Sequence, residues 1–178
     1  MKASRGQSLI ETLVALTVIV IGVMGAVSLG IYTIRAAAVS QEDVVAENLA
    51  REGLEAVRWI RDDNWRDEVA WDSFLDDSDS YRVEINTPGD PAGPVELEEN
   101  SSGEDTFYDL CLDPSTGRYI HTDDDECVAP LKATKFSRRI SIEGGGSGDE
   151  KKIVCVVSRD SAFSSKDYTV SEHIFDWF

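Results

Sequence analysis

The sequence has few of the residues and none of the motifs on which most enzyme active sites depend. Histidine occurs only at His121 and His173, and neither spacing suggests a zinc site or a nucleophile relay. No GxSxG nucleophile elbow, phosphate-binding loop or dinucleotide-binding fingerprint is present. We therefore expect a protein that is not an enzyme, with both histidines on the surface or in strands.

Cysteine is also scarce, and its three positions form no CxxC pair and no zinc-ligand spacing. A metal-thiolate site is therefore not expected. In an oxidising compartment we expect Cys111 and Cys127 to form the disulfide, because they flank a predicted hairpin and its acidic return loop. Cys155 lies in an apolar segment, where we expect a buried free thiol.

Basic residues are few, since the chain has 17 lysines and arginines against 34 aspartates and glutamates. Lys2, Arg5 and Glu11 are the only charged residues before Arg35, so the remaining chain carries 15 basic and 33 acidic side chains, a net charge of −18. This excess argues against nucleic-acid binding through the bulk surface, with a local basic patch as the alternative.

Two acidic runs could supply oxygen ligands for calcium, but neither follows the EF-hand pattern. They are Asp76, Asp77, Asp79 and Asp123, Asp124, Asp125, Glu126. Because such runs are usually solvated faces, we expect no cofactor, with calcium as the open alternative.

Charge is absent from 22 consecutive residues, Leu13 to Ile34. As a helix this segment would be about 33 Å long, enough to cross a hydrocarbon core of roughly 30 Å. It is longer than the apolar region of a secretory signal peptide. Because Lys2 and Arg5 precede the span, we expect the amino terminus in the cytoplasm, a single pass through membrane lipid, and the acidic head outside.

Glu11 lies just inside this apolar segment, where a carboxylate costs on the order of 2.5–3.5 kcal/mol near a bilayer centre. It therefore needs a proton or a counter-ion. The surrounding residues, MKASRGQSLIE from Met1 to Glu11, resemble the leader and cleavage site of type IV prepilins, with Gly6 before the cut and Glu11 fifth after it.

The resemblance implies that a prepilin peptidase removes residues 1–6 and methylates the new amino terminus at Gln7. It also implies that Glu11 pairs with the amino terminus of a neighbouring subunit and so sets the axial register in a filament. The chain departs from the family at Gln7, where phenylalanine is usual, which bears on methylation more than on cleavage.

The span also lacks the helix-breaking proline of many major pilins. Gly22 and Ala26 form a small-xxx-small pair that permits close packing of helices. An ordinary lipid-facing glycine is the alternative interpretation of this pair.

Beyond the span, apolar residues recur at three- and four-residue spacing and predict an amphipathic continuation of the helix over residues 35–65. These residues are Ala46, Leu49, Ala50, Gly53, Val57 and Ile60. The predicted helix runs from about Ser8 to about Asp62, with residues 7–34 in the membrane or filament core. We expect the aromatic residues near its end to pack in the core, with a binding patch as the alternative: Trp59, Trp65, Trp71 and Phe74.

Residues 66–178 predict a β-rich head. Alternating patterns mark six strands, at residues 81–86, 107–113, 118–122, 135–143, 152–159 and 167–176. Residues 114–117 and 144–150 predict turns, and residues 87–106 an exposed insertion. The predicted fold class is α+β, with one long helix packed on an antiparallel sheet of four to six strands, as the pilin resemblance also implies.

These features predict a structural subunit, resembling a minor pilin, of a type IV pilus or a related filament. The expected partners are prepilin peptidase, other pilin subunits and the pilus assembly platform. A type II secretion pseudopilin is the alternative within this class. A membrane-anchored extracellular binding or adhesion module is the alternative outside it.

Overall fold

One helix and seven strands make up the regular structure within the described part of the chain. The computed structural model describes residues 5–85, 95–101, 103–122, 127–144, 150–160 and 165–176. By contacts the chain divides into two units, Met1–Asp43 and Val44–Phe178. In chain order the elements are α1 (Arg5–Arg66), β1 (Ser78–Ile85), β2 (Val95–Glu99), a short 3-10 helix (Asp105–Tyr108), β3 (Asp109–Leu112), β4 (Tyr119–Ile120), β5 (Lys132–Gly144), β6 (Glu150–Arg159) and β7 (Lys166–Phe175).

The long helix α1 is assigned without a break, and it extends the predicted helix by about one turn at each end. Glycines at 22, 25, 30 and 53 do not interrupt it, although glycine is a weak helix former in water. The predicted apolar stripe is confirmed, since Ala46, Ala50 and Val57 are fully buried and Leu49 and Ile60 nearly so.

Strand β5 is the centre of the sheet. One of its edges pairs with β1 and β3, and the other pairs with β6, which in turn pairs with β7. Every pairing is antiparallel. The predicted α+β class with an antiparallel sheet is therefore confirmed, while the predicted strand number of four to six is too low.

The additional strand is β2, which lies inside the segment predicted as an exposed insertion. It pairs with β1 in a register that places Leu97 opposite Val83. Val95 and Leu97 pack against the core, and Arg82 donates a hydrogen bond from Nε to Glu98 at 2.9 Å. The alternation in VELEE covers only four residues inside a segment rich in proline, glycine, serine and acidic residues, which is why the sequence predicted an insertion there. Residues 86–94 and 102 of the predicted insertion lie outside the described residues.

Two further details of the head differ from the predictions. The predicted strand at 107–113 begins as the 3-10 helix and becomes β3 only at Asp109. The predicted turn at 114–117 does join β3 to β4, and Gly117 there has a φ of +73°, which favours glycine. Residues 145–149 of the other predicted turn lie outside the described residues.

The core of the head lies between the second half of α1 and one face of the sheet. Ile140, Cys155 and Val157 are completely buried on that face. A β-carbon at Gly53 would lie only 2.7 Å from Sγ of Cys155 and 3.3 Å from Cδ of Arg138. Gly53 therefore permits a close approach of helix and sheet at this point, which offsets its weak helix propensity.

Candidate processing and assembly segment

The residues of the predicted cleavage site lie at the start of α1. The helix begins at Arg5, so Gly6, Gln7 and Glu11 are all helical, while residues 1–4 lie outside the described part of the chain. Four residues separate Gln7 from Glu11, a rise of about 6 Å, or about one helical turn. A new amino terminus at Gln7 would therefore start one turn before the Glu11 carboxylate.

The apolar segment that follows exposes its side chains on every side of the helix. Every large hydrophobic residue from Leu9 to Ile34 is at least 48% exposed, and this helix is long and apolar enough to cross a membrane. Such a surface is unfavourable in water at roughly 25 cal/mol per Å². The segment therefore fits anchoring in a membrane, and the same surface is available for packing against other helices.

The threonine hydroxyls inside the segment are satisfied by the helix itself. The hydroxyls of Thr12, Thr17 and Thr33 donate hydrogen bonds of 2.8–2.9 Å to the carbonyl oxygens of Leu9, Leu13 and Gly30. Internal satisfaction of this kind is what a hydrocarbon environment requires. Glu11 is exposed and is the only charged residue between Arg5 and Arg35.

The small-residue pair lies on open helix surface. A β-carbon added at Gly22 would meet no atom within 4 Å, and Ala26 one turn later is also exposed. Space for a close-packed partner helix is therefore available here, and α1 is the only α-helix among the described residues.

In the head, the buried Arg138 pairs with the partly exposed Glu52. Arg138 is 1% exposed, and its guanidinium donates to the carbonyl oxygens of Leu49 and Val83 at 3.4 and 3.3 Å and lies 3.5 Å from the Glu52 carboxylate. Burial lowers the pKa of Arg138, and Glu52 opposes that shift. This pair was not predicted, although Arg138 shares the inward-facing parity of β5 with Phe136, Ile140 and Ile142 and so interrupts an apolar pattern. That signal points to a buried charge, but it does not identify Glu52 as the partner.

Cys111 and Cys127 form a disulfide with a Cα–Cα distance of 5.6 Å, which is the pair that the sequence favoured. Cys155 is a buried free thiol whose pKa burial raises to about 11, so the thiol stays protonated at neutral pH. Neither arrangement provides an activated nucleophile.

The two histidines have different environments. His121 is buried, contrary to the expectation of a surface or strand position, and its Nδ1 lies 3.1 Å from the Asp109 carbonyl oxygen. Burial, followed by repulsion from Arg138 and Arg82, lowers its pKa to about 3, so the ring is neutral at pH 7. His173 is on β7 and pairs with Glu150 at its exposed edge.

The acidic runs show no metal geometry where they are described. Within the described residues, no group of three or more His, Cys, Asp or Glu side chains is placed to hold a metal ion. Asp77 of the first run instead lies 3.2 Å from Nζ of Lys151. Residues 123–126 of the second run lie outside the described residues.

The aromatic residues near the end of α1 do not all enter the core. Trp71 is buried and Trp59 and Trp65 pack partly against the core, as predicted. Phe74 is 78% exposed, so the prediction of a core position is wrong for this residue. Its backbone φ is +65°, in the left-handed region.

The chain thus combines a helix that is long and apolar enough to cross a membrane with an α+β head. Comparison with family models gives a match of residues 1–27 to the prokaryotic N-terminal methylation motif. This match supports a type IV pilin-like protein, and it implies processing by prepilin peptidase and assembly with other pilin subunits. Searches of curated proteins and of solved structures gave no match. The motif and the fold together suggest a structural, non-enzymatic protein.

Proposed function

We propose that this chain is a structural subunit, of the minor pilin kind, of a type IV pilus or a related filament. The observation that carries the proposal is the combination of the methylation motif at residues 1–27 with an apolar helix surface exposed over its full circumference. A subunit of this kind is held in the membrane by the same helix surface that later packs against other subunits in the filament.

The chemistry of assembly follows from removal of the leader. Cleavage between Gly6 and Gln7 would remove Lys2 and Arg5 and create an ammonium at Gln7. Methylation of that nitrogen would keep its charge. The span would then contain one cation, at Gln7, and one anion, at Glu11, in a medium where isolated charges are costly.

Pairing between chains would give this motif its role in assembly. If the ammonium of one subunit meets Glu11 of its neighbour, both charges are neutralised only at one axial offset between the two helices. Buried ion pairs of this type specify register more reliably than they add stability. We therefore assign cleavage to Gly6 and Gln7, and register to Glu11.

The head charge favours a minor subunit. Residues 35–178 carry a net charge of −18, and stacking many identical heads of this charge would bring like charges together along the filament. Insertion of single copies among other subunits avoids this repulsion. In this proposal the basic residues 2 and 5 keep the amino terminus in the cytoplasm, and the head lies outside.

The direct test is the mass of the amino terminus of the full chain, extracted from membranes of a strain with active prepilin peptidase. We expect loss of residues 1–6 and one added methyl group on Gln7. In a peptidase-deficient strain, and in a Gly6→Leu variant, the leader should remain. Gly25→Leu is a matched control that should be processed normally.

Retention of residues 1–6 in the strain with active peptidase would overturn the proposal. It would favour the alternative in which the span is a permanent anchor for an extracellular binding module.

A further inference from the structure

A cleft in the head lies between the end of α1, the loop that follows it, and strand β2. It has a volume of about 340 Å³. Its walls are apolar or aromatic, its rim is acidic, and the lining contains no lysine or arginine among the described residues. The lining residues that matter most are Trp59, Phe74 and Leu97 on the walls and Asp63, Asp67 and Glu96 on the rim.

Phe74 is held at this cleft by the residues on either side of it. The side chain of Asn64 donates hydrogen bonds to the carbonyl oxygens of Trp71 and Ser73, at 3.1 and 2.7 Å. Leu75, immediately after Phe74, is fully buried, and its carbonyl oxygen accepts a hydrogen bond from Lys151. With both flanks anchored, the Phe74 ring is presented to the cleft in a left-handed backbone conformation that bulky residues rarely adopt.

The chemistry of the cleft selects a cation. Aromatic faces attract ammonium and guanidinium groups, and carboxylates at the rim add charge complementarity. Two rim carboxylates, Asp63 and Asp67, already pair with Arg66, which leaves Glu96 as the rim group to test. Asp67 is 3.7 Å from Arg66 in a more exposed pair, which a competing cation could displace.

The identity of the cation follows from the charge of the whole head. The head of a second copy of this chain would bring another net charge of −18 close to the first, which is unfavourable. The cations near this surface already have acidic partners within the chain, as Arg61 does with Asp62. We propose that the cleft binds an arginine or lysine side chain presented by a basic segment of a different protein. This inference concerns the head alone and goes beyond the filament role, so it can succeed or fail independently of leader cleavage.

The test measures binding of a labelled arginine–alanine peptide to the full chain in detergent micelles by fluorescence anisotropy. We expect Phe74→Gly and Glu96→Gln each to weaken binding about tenfold or less, with the larger loss for Phe74→Gly. Glu143→Gln is the matched control, since it removes the same charge from an acidic residue outside the cleft and should leave binding unchanged.

Phe74→Gly also separates a binding role from a structural one. Because the ring is exposed and glycine accepts a positive φ, this variant should unfold at the same temperature as the parent or higher. A clear loss of thermal stability would assign Phe74 to the fold and overturn the proposal.

Several results would contradict the proposed occupant. Equal weakening by Glu143→Gln, or no effect of the cleft variants, would show nonspecific charge attraction. Binding of a glutamate–alanine peptide as tight as that of the basic peptide would exclude cation selection. Tight binding of free spermidine would assign the cleft to a small cation, and self-association lost in Phe74→Gly would assign it to a second copy.

Discussion

The two halves of α1 have the same backbone conformation and opposite relations to their surroundings. From Leu9 to Ile34 the large apolar side chains are all at least 48% exposed, whereas Ala46, Ala50 and Val57 are fully buried. The first half is apolar on every side, whereas the second half has apolar residues along one side only, and that side packs on the sheet. Secondary structure is therefore the same in both halves, and the distribution of apolar residues around the helix decides which environment each half requires.

The same contrast holds for charge. In the first half, Glu11 is exposed on a helix surface that is otherwise uncharged from Gly6 to Ile34. In the second half, Glu52 lies 3.5 Å from the buried Arg138. In the proposed function, Glu11 pairs with a charge supplied by processing or by another chain, whereas Glu52 pairs within the head. This comparison leads to three matched pairs of substitutions.

The largest effects are expected for Glu11→Gln, on filament incorporation, and for Glu52→Gln, on the stability of the head. We expect Glu11→Gln to be cleaved normally and to lose filament incorporation, because its counter-charge comes from a neighbour. Glu52→Gln should instead destabilise the head by about 2–3 kcal/mol, since it leaves Arg138 buried without a counter-ion and Glu52 itself is partly exposed. Chemical denaturation and filament fractionation measure the two effects. Normal incorporation of Glu11→Gln would remove the assigned role of Glu11.

The second pair compares identical truncations in the two halves. Leu54 is 6% exposed, and Leu54→Ala should lower the free energy of unfolding of the head by about 3 kcal/mol through lost burial and a residual cavity. Leu29 is 64% exposed, so Leu29→Ala should leave that free energy unchanged. Denaturant titration of the full chain in micelles, followed by tryptophan fluorescence of the head, tests both. Equal destabilisation would mean that the first half contributes to the folding of the head.

The smallest expected effect distinguishes two glycines. At Gly53 an added methyl group would lie 2.7 Å from Sγ of Cys155, so Gly53→Ala should destabilise the head by about 1–2 kcal/mol despite the better helix propensity of alanine. Gly22→Ala meets nothing within 4 Å and should leave head stability unchanged. Thermal unfolding measures the difference. Removing the sulfur with Cys155→Ala should restore most of the stability lost in Gly53→Ala, and failure to do so would disprove the steric explanation.

Sequence reasoning was most successful where the physical cause is local. The leader motif, the uncharged span and the apolar stripe of Ala46, Ala50 and Val57 each depend on residues within a few turns of one helix. The strands β5, β6 and β7 were also predicted within three residues at each end, because long alternating apolar segments persist through them.

Prediction failed where contacts between distant segments decide the outcome. Strand β2 contains three glutamates, and it is a strand because β1 offers a pairing edge and an apolar neighbour for Leu97. Phe74 is a large apolar residue of the kind usually found in a core. The hydrogen bond to Ser73 and the burial of Leu75 leave its side chain exposed. Such outcomes depend on residues that are far apart in the chain.

The sequence alone determined that this protein has a membrane-compatible helix, a prepilin-type amino terminus and an acidic α+β head, because charge, hydrophobicity and short motifs act over short range. The tertiary structure decided that Arg138 lies inside, that Gly53 admits Cys155, and that Phe74 faces a cleft with an acidic rim. These positions follow from the close packing of the second half of α1 on the sheet, which depends on the shapes of side chains that are far apart in the chain.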